Sequence, residues 1–146
     1  MPRRVVVTGL GAISPNGIGK KKFWENTCSG ISGIKLISSF DPTGLSCQIA
    51  GEVQDFDPLE YFSKTDLKKL SRSVPLAIAA SKEALYDSAI DLAQFNEEDF
   101  ESLGVIVGTG GAGFDFSEKQ FEIFFSGRKN KISPYAISNS LVGMLS

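Results

Sequence analysis

The sequence predicts an α/β fold in which a mixed, mainly parallel sheet is covered by helices. Two stretches carry that expectation. Residues 3–17 read RRVVVTGLGAISPNG, where Val5, Val6 and Val7 form an unbroken β-branched run of the kind found in strands buried on both faces. The pattern recurs at residues 103–113, LGVIVGTGGAG. Each run passes into a glycine-punctuated turn, and helical patterns fill the chain between them. The runs Val5–Val7 and Val105–Val107 are therefore expected as parallel neighbours with helices on the sheet face and a site at the strand ends.

The elements follow in order. Residues 18–29, IGKKKFWENTCS, place Phe23, Trp24 and Thr27 at helical spacing, with Gly30 as the stop. Residues 30–46 are turn-rich and predict a surface loop; residues 47–53, CQIAGEV, predict a short strand. DFDP at 55–58 is a turn into a short helix, and Ser63 with Asp66 three residues on reads as a helix start. Ser73-Val74-Pro75 reads as a second start. The apolar set Val74, Ile78, Leu85 and Ala89, with Ala77, Ala80 and Ala84, predicts a long helix to Ile90. Residues 96–101, NEEDFE, are an acidic connector. Phe114, Phe121, Phe124 and Phe125 form one stripe of a helix over 114–126 that Gly127 ends, and a basic loop with Arg128, Lys129 and Lys131 follows. Pro134 opens a final segment expected to hold one or two short helical turns. No repeat or linker interrupts the chain, which predicts one structural unit.

Composition excludes several classes. The chain has 146 residues, 42% hydrophobic, with 15 Lys+Arg against 17 Asp+Glu, so no positive field favours nucleic acid or an anionic membrane. No apolar stretch approaches membrane-spanning length. The expectation is a soluble, cytoplasmic protein whose cysteines, Cys28 and Cys47, are ordinary packing or loop residues. There is no histidine, so these residues cannot complete imidazole catalysis, and the two distant cysteines lack metal-ligand spacing. No metal site and no cofactor is expected.

The motifs leave several readings open. Gly108 to Gly113 matches GxGxxG after an apolar run, which raises a dinucleotide-binding module. However, the acidic residue and second strand that such a site needs are replaced by Arg128-Lys129-Asn130-Lys131. Gly19-Lys20 is no phosphate loop, because Ser14 stands where a glycine is required. The phenylalanine stripe is either core or the wall of an apolar ligand pocket. Lys64, Lys68, Lys69 and Arg72 share helical spacing and form either a solvated face or a docking surface for an acidic partner.

Taken together, four landmarks resemble the N-terminal portion of a β-ketoacyl-acyl carrier protein synthase, a type I/II condensing enzyme of the thiolase-like family. They are RRVVVTGLGAISPNG, FWENTCSGISGI, IAGEVQDFDP, and VGTGGAG followed by KISPY. The resemblance covers essentially the whole chain and implies a layered thiolase-like fold, of which residues 1–146 are the N-terminal half. It implies decarboxylative Claisen condensation of an acyl thioester with malonyl-acyl carrier protein in fatty-acid or related polyketide-type elongation. The family's catalytic cysteine and two histidines are expected beyond Ser146, so the segment alone is expected to be inactive. A non-catalytic chain-length partner subunit of the same fold is the alternative.

The resemblance also assigns positions. The acyl pocket is implied at Gly111, Ala136 and Ser140, the last two reaching across a homodimer. Type II members usually carry a bulky residue where this chain has Gly111 and a second aromatic where it has Ala136, so a roomier pocket is implied. The carrier-docking helix is implied at Lys68 and Lys69, with Arg128, Lys129 and Lys131 nearby.

Overall fold

The computed structural model describes residues 3–111 and 113–140. These residues group into two compact units, Met1–Asp57 with Ala79–Asp91, and Pro58–Ile78 with Leu92–Ser146.

In the first unit, β1 (Ile13–Ser14) and β2 (Gly17–Ile18) pair antiparallel, with Ile13 opposite Ile18 and Ser14 opposite Gly17. The Ser14 hydroxyl accepts from the Asn16 N–H at 3.1 Å and closes the turn between them. Helix α1 (Lys20–Cys28) follows. Gly30, at φ 68°, ends it: its N–H reaches the Thr27 carbonyl, and the Ile31 N–H reaches the Asn26 carbonyl at 2.9 Å. This is the paired bonding that a left-handed glycine permits after a helix. Strands β3 (Ile34–Leu36) and β4 (Ile49–Gly51) form a second antiparallel pair. The β4 strand lies within the expected 47–53 segment. Glu52 gathers the start of the intervening loop through the hydroxyls and N–H groups of Ser38 and Ser39. The second part of helix α3 (Ser73–Ser88) belongs to this unit and grips the N-terminal segment. Glu83 accepts from the N–H groups of Ala12 and Lys20, each at 2.8 Å, and Asp87 accepts from that of Leu10 at 2.9 Å. Gly11 lies so close to α3 that a Cβ there would stand 2.0 Å from the Ala80 carbonyl oxygen.

In the second unit, Ser63 caps α2 (Lys64–Leu67), its hydroxyl accepting from the Asp66 N–H. α2 ends at Leu67, so Lys68, Lys69 and Arg72 lie on the turn before α3, which corrects the expectation that they share one helical face with Lys64. Pro75 explains the break. It has no N–H to give the Ser71 carbonyl, and its ring crowds that carbonyl, which disfavours a helix continuing from α2 into α3. The acidic segment at 96 forms a short helix, α4 (Glu97–Glu101), because Asn96 and Asp99 cap each other reciprocally. Helix α5 (Phe114–Phe125) begins after Gly113 at φ 91° and ends before Gly127 at φ 79°. Single helical turns at Lys129–Lys131 and Ser138–Ser140 follow. Residues 141–146, which share the final expected helical segment, lie outside the described residues.

The two β-branched runs do not form ladders among the described residues, whose strands are the two antiparallel pairs. Val5 is 93% and Ile106 98% exposed. A continuous apolar run signals burial only when partner strands and covering helices exist to bury it.

Candidate functional site

Helix α5 and the segment from Ile132 to Ser140 flank an apolar cavity of about 440 Å³ that is open to solvent, with Phe121, Phe125 and Ile137 largely exposed. The sequence places three phenylalanines on the last two turns of α5, and Phe121, Phe124 and Phe125 form one wall. Their rings pack on one another, Phe121 against Phe125 at 6.4 Å and Phe124 edge-on to Phe125 at 5.4 Å between centroids. Ile132, Ala136 and Ile137 form the facing wall. Polar atoms lie at the margin: Ser117 donates to the Ser140 hydroxyl at 2.7 Å, and Gln120 accepts from the Ser133 N–H at 2.8 Å. Such a space suits an unbranched apolar chain rather than a charged ligand.

Of the sequence-predicted pocket residues, Ala136 and Ser140 line this cavity. Gly111 is not among its lining residues. It is exposed and lies against Phe114, whose ring would be 3.2 Å from a Cβ at that position. Phe114, expected in the stripe, is 72% exposed, whereas Phe116 is the buried phenylalanine of α5.

A partly buried polar cluster lies at the start of α5. Ser71 is 4% exposed and donates to Asp115 Oδ1 at 2.6 Å, while Asp115 Oδ2 accepts from the Arg72 N–H at 2.9 Å. The Gly113 N–H in turn reaches Ser71 Oγ at 3.3 Å. Burial pushes the Asp115 carboxyl upward. The N–H of Arg72, the Ser71 hydroxyl, the N–H of Phe116 and the charge of Lys119 outweigh that push and hold it below the ordinary carboxylate value. Asn139 is buried and donates to the Lys69 carbonyl. Ser71, Asp115 and Asn139 did not stand out in the sequence. Asp115 alone carried a usable signal, an acid in the first turn of a helix.

Among the docking residues, Lys68 and Arg128 are exposed, and Lys129 and Lys131 lie on an exposed turn. The Lys69 ammonium lies 5.8 Å from the Tyr135 ring centroid, and that of Lys129 lies 4.9 Å from that of Phe124. Cys28 and Cys47 are exposed, free thiols. Among the described residues no group of His, Cys, Asp and Glu could hold a metal ion, and no helix is long and apolar enough to cross a membrane.

Comparison with known proteins identifies the framework. A family model described as beta-ketoacyl synthase, N-terminal domain, matches residues 2–146. The 3-oxoacyl-acyl-carrier-protein synthase 2 of Vibrio harveyi is 38% identical over 143 residues, covering 98% of this chain and 34% of that protein. The tetracenomycin polyketide synthase ketoacyl synthase beta subunit of Streptomyces glaucescens is 34% identical over 134 residues, covering 92% of this chain and 32% of that protein. Among solved structures, the ishigamide ketosynthase/chain length factor superposes with a TM-score of 0.73 at 29% identity, covering 99% of this chain and 35% of its own. A type II polyketide ketosynthase complex with its acyl-carrier protein, AntDE:AntF, gives a TM-score of 0.77 over 99% of this chain and 38% of that one; at 23% identity this likeness speaks for the fold alone. The chain spans about a third of the length of the curated relatives it matches. The chain mixes helices and strands and superposes on ketosynthases, and it belongs to the β-ketoacyl synthase N-terminal domain family.

Proposed function

We propose that this chain is the N-terminal part of a β-ketoacyl-acyl carrier protein synthase that elongates acyl chains by decarboxylative Claisen condensation. The observation that carries the proposal is the similarity along nearly the whole chain to the Vibrio harveyi 3-oxoacyl-acyl-carrier-protein synthase 2. In this reading a cysteine thiolate beyond Ser146 takes the acyl group from a carrier thioester. Malonyl-carrier then loses carbon dioxide, its carbanion attacks the enzyme thioester carbonyl, and the thiolate leaves as the β-ketoacyl-carrier forms. The described residues supply binding rather than bond-making. The α5 cavity takes the growing chain, with Ala136 and Ser140 on its wall, and Gly111 is assigned to the same path by the resemblance alone. Lys68, Lys69, Arg128, Lys129 and Lys131 dock the acidic carrier. The complete protein is a cytoplasmic homodimer in which the apolar runs Val5–Val7 and Val105–Val107 join a mainly parallel sheet. Their exposure here is what supports that placement.

The test uses the full-length protein with acyl-carrier and malonyl-carrier substrates. An acyl adduct by intact mass, followed by release of carbon dioxide and a β-ketoacyl-carrier product, is expected. A second reading is favoured by the similarity to the tetracenomycin beta subunit: a chain-length partner subunit with no nucleophile of its own. That reading requires no adduct, and product only when a catalytic ketosynthase is added.

A further inference from the structure

The turn that carries Lys68 and Lys69 is fixed to both walls of the apolar cavity by buried groups. Asn139, 8% exposed, donates from Nδ2 to the Lys69 carbonyl. Its neighbour Ser140 lines the cavity and accepts from Ser117 of α5 at 2.7 Å. The Asn139 carbonyl is so close to Gly113 that a Cβ there would lie 2.3 Å away. Two residues after Lys69, buried Ser71 holds Asp115 at the start of α5. On the outer side, the Lys69 ammonium rests over Tyr135, the residue before cavity-lining Ala136. Close-packed, hydrogen-bonded groups of this kind shift between discrete arrangements rather than deforming smoothly.

We propose that Asn139 is a positioning residue that couples occupancy of the Lys68–Lys69 turn by an acidic carrier to the shape of the acyl cavity. The proposal rests on the reading of that turn and that cavity given above. An anionic partner draws the Lys69 ammonium off the Tyr135 ring and frees the wall next to Ala136. The Asn139 bond to the Lys69 carbonyl passes the same displacement to Ser140 and so to Ser117. Carrier-borne and carrier-free acyl thioesters therefore meet differently shaped cavities. Coupling between two binding events is reciprocal, so a filled cavity also changes affinity for the carrier.

The experiment compares octanoyl and myristoyl donors on the full-length protein, presented once on acyl carrier protein and once as coenzyme A thioesters. The ratio of kcat/KM for the long and short chains is expected to differ by about fivefold or more between the two presentations. Asn139→Ala is expected to bring the two ratios together. Loss of general stability alone would leave their difference standing. The wild-type protein supplies a second readout: the Kd for acyl carrier protein is expected to differ when measured with and without saturating palmitate. Equal ratios in the wild type, or a carrier Kd indifferent to palmitate, overturns the coupling while leaving the elongation reading intact. Absence of carrier binding, with turnover of coenzyme A thioesters retained, overturns the docking assignment and the coupling together.

Discussion

The Ser71 hydroxyl donates to Asp115 Oδ1 at 2.6 Å, joining residues 44 positions apart and fixing the turn before α3 to the first turn of α5. Asp115 also accepts from the Arg72 N–H, so one carboxylate organises both the break before α3 and the start of the cavity wall.

That carboxylate gives stability a particular pH dependence. Its folded-state pKa is held below the ordinary value, so its contribution is complete above the unfolded pKa. It is lost as pH falls through the folded one. Asp115→Asn should destabilise the full-length protein by about 1–3 kcal/mol at neutral pH, because Ser71 keeps a buried hydroxyl with a poorer acceptor. The gap between wild type and variant should close as pH falls through the acid range below the ordinary carboxylate value. Denaturant titrations of both proteins across that range check it, and parallel curves would contradict the assignment.

Gly113 and Gly127 both have positive φ, 91° and 79°, at the two ends of α5. A Cβ on Gly113 would meet the Asn139 carbonyl at 2.3 Å, whereas one on Gly127 would meet nothing within 4 Å. Gly127→Ala should therefore cost only the left-handed backbone penalty of about 1–2 kcal/mol. Gly113→Ala carries that penalty and must also displace Asn139, for a loss of more than about 3 kcal/mol. Melting temperatures of the two variants give the comparison, and equal losses would show that the close approach carries no energy.

The local signals in the sequence proved the most legible. The Ser63 cap, the start of α3 at Ser73, the end of α5 before Gly127 and the glycine stop after α1 each depend on a few neighbouring residues and on backbone chemistry that those residues fix. What failed depended on groups distant in sequence. The valine runs advertise burial but not what buries them. The basic residues at 64–72 have helical spacing, yet Pro75 and the capture of Arg72 by Asp115 prevent a continuous helix. Within the site, Ala136 and Ser140 line the cavity together with Ile132 and Ile137, and two isoleucines in a polar segment carry no periodic signal that would single them out. Asn139 was invisible for a similar reason: its importance lies in a carbonyl 70 positions away.

Glu83 places one carboxylate between two segments, accepting from Ala12 through Oε2 and from Lys20 through Oε1. Glu83→Gln keeps one acceptor and should lose about half of what Glu83→Ala loses, the latter being about 2 kcal/mol for partly exposed bonds to a charged group. A thermal denaturation series on the two variants checks the ratio. If glutamine is as damaging as alanine, the two N–H groups are not held independently.

Reversing Lys68 and Lys69 to glutamate should slow carrier association while leaving turnover of coenzyme A thioesters in place. Exposed charges steer encounter and are screened by salt, so the deficit should be largest at low ionic strength. Association rates at several salt concentrations measure it. A double variant with the wild-type salt dependence would remove this turn from the docking surface.

Ala136 is the position where added volume should read out directly as chain length. It faces Phe121, Phe124 and Phe125 across about 440 Å³ of apolar space and is itself the smallest side chain on that wall. Each methylene buried there contributes about 0.8 kcal/mol, close to a fourfold gain in affinity. Ala136→Phe should occupy space otherwise open to the distal methylenes, so short acyl donors keep their kcat/KM and long ones lose about fourfold for each methylene excluded. Because the new ring points into open space, the melting temperature should hold or rise. That separates pocket filling from damage to the fold. Measuring kcat/KM for a graded series of acyl-carrier donors on the full-length protein decides the matter. A uniform loss at every chain length, with melting unchanged, would mean that the growing chain does not run between α5 and the segment around Ala136.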